Sequence, residues 1–269
     1  MKKLHLKLNK KTTAIWTITL SLIILLFSAA YLTMANDSMK MLVDSKLEGL
    51  PTAILSIVGF ESIPDFTNIV VFYAYIMQYI NIALAIFALS LGLASFLQEE
   101  SDHTIEFLMS SPISRIDFVK EKLIANFILV TTTVVSMIVF SSLGLFLFKP
   151  EDVLFLDILK DVLPIYLSFF LIAYTLLIFG SGLSLILKSE LKVATLAMAI
   201  VFSTYFMGIM ASVVEKIDFL EVFSLLHALM PLTLYEGSAN LFTIVFWIVL
   251  SILTFVFGLN FFKKRDILV

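Results

Sequence analysis

The sequence predicts an all-α integral membrane protein of six transmembrane helices, with both termini cytoplasmic and a helical cytoplasmic loop between the second and third spans. Three observations lead there. Hydrophobic residues make up 60% of the chain, mean hydropathy is +1.05 and only 14% of residues are charged, which lies outside the range of soluble domains. Six apolar runs each approach the ~20 residues that cross ~30 Å of hydrocarbon. These runs are rich in Leu, Ile, Phe and Ala and lack period-two alternation, so in lipid they satisfy their backbone hydrogen bonds as helices. The 269 residues are used up by six spans and short loops, which leaves a single transmembrane domain over 1–269.

The chain opens on a basic segment, 1–13. Placed on a helix, Lys3, Lys7, Lys10 and Lys11 share one side and Leu4 and Leu8 another; this is either an amphipathic elbow lying on an anionic leaflet or a basic flank that sets topology. The first span, Ala14 to Met34, exceeds the roughly 7–15 apolar residues of a signal core, and only Thr33-Met34-Ala35 resembles a cleavage site, so it is read as uncleaved. An acidic connection leads to the second span, Ile69 to Leu97.

The loop that follows, 98–122, carries the most organised pattern. Asp102 can cap a helix on which Ile105, Leu108 and Met109 form an apolar stripe opposite Glu106 and Ser110. Pro112 ends it. Ser114-Arg115-Ile116-Asp117 then reads as a capping box opening a helix through Lys120 and Lys122 into the third span, Leu123 to Phe148. A two-turn amphipathic helix fixed to two spans can receive a push from a cytoplasmic partner, or it can rest with its stripe among lipid headgroups.

The fourth span, Val162 to Leu187, contains Gly180-Ser181-Gly182, small residues that let helices approach closely. The fifth is Val193 to Val213. Segment 214–240 carries Phe219, Leu220, Val222, Phe223, Leu225, Leu226, Leu229 and Met230, too apolar for a free loop. The sixth span, Leu241 to Phe262, ends on Lys263, Lys264 and Arg265.

With the N-terminus cytoplasmic, the inner segments hold most of the 18 Lys and Arg, while the outer segments hold only Lys40, Lys46, Lys149, Lys160 and Lys216 and most of the acids. That asymmetry places both termini inside. The net charge of −3 therefore conceals two opposed faces and gives no sign of a nucleic-acid partner. The chain has no Cys, hence no disulfide, thiolate metal site or Cys nucleophile. His5, His103 and His227 are scattered, and no metal-binding, P-loop or nucleophile-elbow motif occurs. The predicted spans hold no Asp, Glu, Lys, Arg or His, which argues against an ion-coupled carrier and against an intramembrane enzyme. Their polar residues, among them Gln78, Asn81, Asn126, Thr131, Thr132, Thr133, Ser136, Ser181 and Ser184, either line a path or hydrogen-bond between helices.

The loop resembles that of the permease subunits of type-2 ATP-binding-cassette (ABC) transporters. The matching residues are Glu99-Glu100, then Thr104-Ile105-Glu106-Phe107-Leu108-Met109, then Pro112-Ile113-Ser114-Arg115, then Lys122. The sequence departs from the family at His103, where Gly is usual. The resemblance covers about 25 residues closely and the whole architecture loosely, with about six spans expected on length alone. It implies an N-terminal elbow, a coupling helix docked on a separate ABC ATPase subunit, a second permease protomer, and an outer re-entrant hairpin at 214–240 with Pro231 at its bend; a plain interfacial helix is the alternative for that segment.

On this resemblance Thr104, Ile105, Glu106, Phe107, Leu108, Met109, Pro112, Ser114 and Arg115 couple to the ATPase, and Gln78, Asn81, Asn126 and Thr131 are candidates for the path. The chain itself binds no cofactor; ATP and Mg sit on the partner. The expected function is an ATP-driven exporter of a hydrophobic or amphiphilic substrate, such as a drug, lipid or antimicrobial peptide, in the plasma membrane of a bacterium. The alternative is a non-transporting anchor or sensor subunit of an immunity or signalling complex, which would use the same loop to hold an ATPase.

Overall fold

A computed structural model describes residues 2–47, 49, 51, 64–101, 114–187 and 192–264. Among them are helices α1 (Lys2–Met34), α2 (Asp37–Leu47), α3 (Ile69–Ser101), α4 (Arg115–Phe148), α5 (Phe155–Ile186), α6 (Val193–Val213), a 3-10 helix (Glu215–Phe223), α7 (Leu225–Ala228), α8 (Pro231–Tyr235) and α9 (Leu241–Lys264), and no strand. Six of these, α1, α3, α4, α5, α6 and α9, are long and apolar enough to cross a membrane.

Each predicted span falls on one of the six, but three helices start earlier than hydropathy indicates. α1 begins at Lys2, α4 at Arg115 and α5 at Phe155. The 33 residues of α1 at ~1.5 Å each reach ~50 Å, well beyond the ~30 Å of hydrocarbon. The backbone ladder continues into water for several turns, whereas hydropathy marks only the stretch that lipid covers. The basic segment 2–13 is thus continuous with the first span. α5 also tolerates Pro164 in its interior, at the cost of one rung of the ladder.

The bundle is built around α3, whose span is 72% buried within this chain, against 22% for α1 and α6 and 28% for α9. α3 packs most extensively on α5, and α5 packs in turn on α9; α1 packs along α4, and α6 lies on α3. The α3–α5 contact is backbone against backbone. A Cβ added at Gly92 would sit 2.5 Å from the Leu177 carbonyl, and one at Gly180 2.7 Å from the Leu89 carbonyl. Gly182 makes the equivalent approach to α9, where its added Cβ would lie 2.6 Å from the Phe255 nitrogen. Residues two apart on a helix point ~200° apart, so the two glycines give α5 one bare face toward α3 and another toward α9.

Hydroxyls supply directional ties between the helices. Thr17 and Ser21 of α1 meet Thr133 (2.8 Å) and Ser136 (3.1 Å) of α4. Tyr73 of α3, Ser141 and Ser142 of α4 and Tyr166 of α5 form one connected hydroxyl network.

The two ends of the bundle differ. Lys2 contacts Glu121 near the start of α4, and Arg115 contacts the last turn of α9, so both ends of the described chain lie at one end, here called the terminal end. At the far end, Asn68 caps α3 by accepting from the Val70 nitrogen at 2.8 Å. Asp65 accepts from the Thr67 hydroxyl and from Lys40 of α2; the Thr67 hydroxyl first, and Lys40 with it, hold this carboxyl below its ordinary range.

Segment 214–240 lies at the far end too. Two helical arms, Lys216–Phe223 and Leu225–Tyr235, meet at 88°. Leu225, Leu226, Ala228, Leu229, Met230 and Leu232 are buried, against α3, α5, α6 and α9. The bend is at Ser224 (φ −114°, ψ 90°), whose hydroxyl accepts from the His227 nitrogen, and not at Pro231 as expected from sequence. Pro231 instead starts α8, in the first turn where its missing N–H leaves no intrahelical bond unmade.

Candidate functional site

Of the expected coupling residues, Thr104, Ile105, Glu106, Phe107, Leu108, Met109 and Pro112 lie outside the described residues, and the two flanks of their loop are described. On the near flank α3 ends at Ser101. On the far flank Ser114 is the N-cap of α4: its hydroxyl accepts from the Asp117 nitrogen at 3.1 Å and donates to the Asp117 carboxylate at 2.6 Å. Asp117 in the first turn also meets the positive end of the helix dipole.

Arg115, the next residue, turns toward α9. Its Nη1 donates to the carbonyls of Phe262 (3.1 Å) and Lys263 (3.2 Å), and its guanidinium lies 5.9 Å from the Phe262 ring centroid. The last carbonyls of a helix lack intrahelical donors and form the negative end of its dipole. Arg115 therefore caps α9 from the first turn of α4.

Two turns further along α4, Lys122 is 1% exposed. Its ammonium donates to the Ser95 carbonyl of α3 and lies 4.9 Å and 4.6 Å from the ring centroids of Phe96 and Phe118. Burial of an ammonium is costly unless donors and charge are met; here the Ser95 carbonyl takes one donor and the two aromatic faces offset part of the charge.

One turn on, Asn126 is fully buried. Its amide nitrogen donates to the Ser95 hydroxyl (2.6 Å) and the Leu91 carbonyl (3.3 Å). That leaves its carbonyl oxygen facing His5 Nε2 of α1 at 2.7 Å, which assigns the imidazole proton to Nε2 and makes His5 the donor. Asn9, one turn along α1, donates to the His5 carbonyl at 3.2 Å. Close by, the Lys2 nitrogen donates to the Glu121 carboxylate at 3.0 Å. A continuous polar layer thus joins the terminal ends of α1, α3 and α4.

The four path candidates do not converge. Gln78 and Asn81 share one buried face of α3; Gln78 Nε2 donates to the Tyr205 hydroxyl of α6 at 3.3 Å. Gln78 Oε1 and both amide atoms of Asn81 have no hydrogen-bond partner among the described residues. Asn126 bonds to Leu91, ten residues or ~15 Å farther down α3. Thr131 donates to the Phe127 carbonyl at 2.6 Å and pairs with the Tyr174 hydroxyl of α5 at 2.7 Å.

Between α1 and α3 runs an open groove of about 390 Å³, walled by side chains such as Leu20, Phe27 and Ile80. Its lining is almost wholly apolar and includes Tyr75 and Tyr79, whose hydroxyls are 3.0 Å apart. Apolar walls with two phenols can hold a molecule that is mostly hydrocarbon with a hydrogen-bonding group. Among the described residues no group of three or more His, Asp or Glu is placed to hold a metal ion.

Sequence reasoning missed the polar layer, taking His5 as one of three scattered histidines and Lys122 as the Lys that precedes the third span in the resembling loop. The available signal was a pair of i, i+4 polar couples, His5 with Asn9 and Lys122 with Asn126, each at the edge of an apolar run.

A family model described as ABC-2 family transporter protein matches residues 10–267 of the chain. No curated protein and no solved structure matches.

Proposed function

Because the chain belongs to the ABC-2 family of transporter proteins, we propose that it is the permease half of an ATP-driven exporter for a hydrophobic or amphiphilic substrate, in the plasma membrane of a bacterium. The single observation that carries this is the family match across almost the whole chain, coinciding with six membrane-capable helices. The family is one of transport membrane subunits and implies an ATPase partner. In this reading the terminal end is cytoplasmic, which the Lys and Arg distribution supports, and a second permease protomer completes the path. ATP and Mg bind to the cassettes. Closure of the cassettes displaces segment 102–113, with Ile105, Leu108 and Met109 as its docking stripe and Glu106 as a polar contact; Arg115, anchored on α9, receives load at the loop's exit.

The buried Gln78–Tyr205 bond between α3 and α6, with Asn81 one turn along the same face of α3, supports a place for the path. An unpaired amide at membrane depth costs about 1–3 kcal/mol and is tolerated where it meets a polar group in another state of the cycle. The apolar groove between α1 and α3 supports the hydrophobic character of the cargo. Replacing Asn81→Leu should therefore raise stability by about 1–3 kcal/mol, because the unpaired amide is removed, while lowering export. A thermal melt of the purified protein and an efflux assay in the parent cells report the two effects separately; a variant that is less stable, or that exports normally, removes Asn81 from the path.

The reading is tested by purifying the chain from its native membrane in mild detergent and identifying its companions by mass spectrometry. An ATPase with a Walker A motif is expected. Its absence under conditions that preserve other membrane complexes would overturn the proposal, and an ATPase bound without any cargo moved would make the chain an anchor or sensor subunit.

A further inference from the structure

We infer that His5, Ser95, Lys122, Asn126 and Arg115 are positioning residues that bind the terminal ends of α1, α3, α4 and α9 into one body, so that a displacement of segment 102–113 reaches four spans together. The inference rests on the transporter reading above, and adds to it which helices move as a unit.

The loop is attached by chain only to α3 and α4. A load on such a loop can be lost in two ways: the two helices can splay, or they can slide past their neighbours. Apolar faces in lipid resist sliding poorly, because one Leu or Phe contact replaces another at little cost. Directional bonds fix register. Lys122 pins α4 to the Ser95 carbonyl of α3, and Asn126 pins the same turn again through the Ser95 hydroxyl and the Leu91 carbonyl. These bonds lie only a few turns from both loop ends and so oppose splaying.

The same Asn126 holds His5 of α1, although 121 residues separate the two in sequence. Arg115 reaches the other way and holds the last turn of α9. Three of the five side chains are almost wholly buried with their polar atoms engaged inward: Lys122 and Ser95 at 1% exposure and Asn126 at 0%. A lysine that served only to set topology would keep its ammonium in water. Among the described residues, α6 meets α3 along an apolar face and through the Gln78–Tyr205 bond nearer its middle. The boundary between the moving body and its neighbour then falls at the α3–α6 seam, about one turn along α3 from the unpaired amide of Asn81.

The chain has no cysteine, so paired labels can be placed without background. Spin labels at Lys10→Cys on α1 and Lys120→Cys on α4, both exposed, are measured by pulsed electron resonance in the complex with its ATPase, nucleotide-free and trapped with ATP and vanadate. A second pair joins Lys120→Cys to Lys192→Cys at the start of α6. The first distance is expected to be a single narrow peak that is the same in both states, and the second to shift by several ångströms, on the order of one helical turn or ~5 Å.

Asn126→Leu roughly keeps the volume and removes the bonds to His5 of α1 and to Ser95 and Leu91 of α3, and should widen the first distance by several ångströms while the protein still purifies. Asn126→Asp restores an acceptor for His5 Nε2 and should return the narrow peak, which a merely space-filling role would not require. A first distance as narrow in Asn126→Leu as in the natural chain, or one that already changes between nucleotide states in the natural chain, overturns the inference. The first pair can also be measured in the permease alone, so failure of this body is distinguishable from failure to find an ATPase.

Discussion

Leucine placed at Gly92 or at Gly180 should leave almost no folded protein to purify. At these positions α3 and α5 touch through their main chains: an added Cβ at Gly92 would lie 2.5 Å from the Leu177 carbonyl, 2.9 Å from the Ser181 nitrogen and 3.1 Å from the Gly180 carbonyl carbon. Backbone cannot rotate away as a side chain can, so the whole crossing must open. Overpacking of this kind costs about 1–3 kcal/mol for small additions, and the crossing joins the most buried helix of the bundle to its principal partner. Alanine should already lower the melting midpoint, and leucine should remove the monodisperse peak in detergent chromatography. Gly49, where an added Cβ meets nothing within 4 Å, provides the control: alanine there should change stability by no more than about 0.5 kcal/mol. A well-behaved Gly92→Leu protein would mean that the α3–α5 crossing is placed wrongly.

Changing Leu108→Asp should detach the permease from its ATPase without preventing membrane insertion. Leu108 sits in the middle of the expected docking stripe with Ile105 and Met109, in the loop between the second and third spans. A carboxylate forced into an apolar interface loses its hydration without a partner, and hot-spot positions near the centre of an interface cost about 2 kcal/mol or more when disrupted. Since 1.4 kcal/mol is about tenfold in affinity, binding should weaken by roughly 30-fold or more. The measurement is the ATPase recovered per permease, alongside membrane-fraction abundance as the insertion control. Undiminished ATPase recovery with normal export would remove segment 102–113 from the coupling role.

What could be read from sequence was whatever is local. The capping of α4 by Ser114 with Asp117 is legible because both partners lie within one turn, and so is the pairing of small residues in Gly180-Ser181-Gly182 with close helix approach. The starts of α3, α6 and α9 at Ile69, Val193 and Leu241 are where apolar composition begins, and they match. The starts of α1 and α5 were displaced by 12 and 7 residues from the predicted span boundaries, because hydropathy registers the lipid boundary and not the end of a hydrogen-bond ladder, whereas the start of α4 was carried by its capping box. The bend of 214–240 was assigned to Pro231 on its missing donor, but a proline in a first turn begins a helix as readily as it breaks one, and the choice of Ser224 depends on what packs around it. His5, Ser95, Lys122 and Asn126 were individually visible and collectively not. Which polar residue finds which is decided by the crossing of three helices, and no periodicity within one helix contains that information.

The two glycines of α5 have a mechanical consequence. α5 is gripped by main chain on nearly opposite sides, by α3 at Gly180 and by α9 at Gly182. Turning it about its own axis by a fraction of a residue would drive a Cβ into one neighbour or the other. It therefore behaves as a key in a slot, free to tilt with α3 and α9 as a slab and barred from spinning between them, and the bundle can part only along its outer seams.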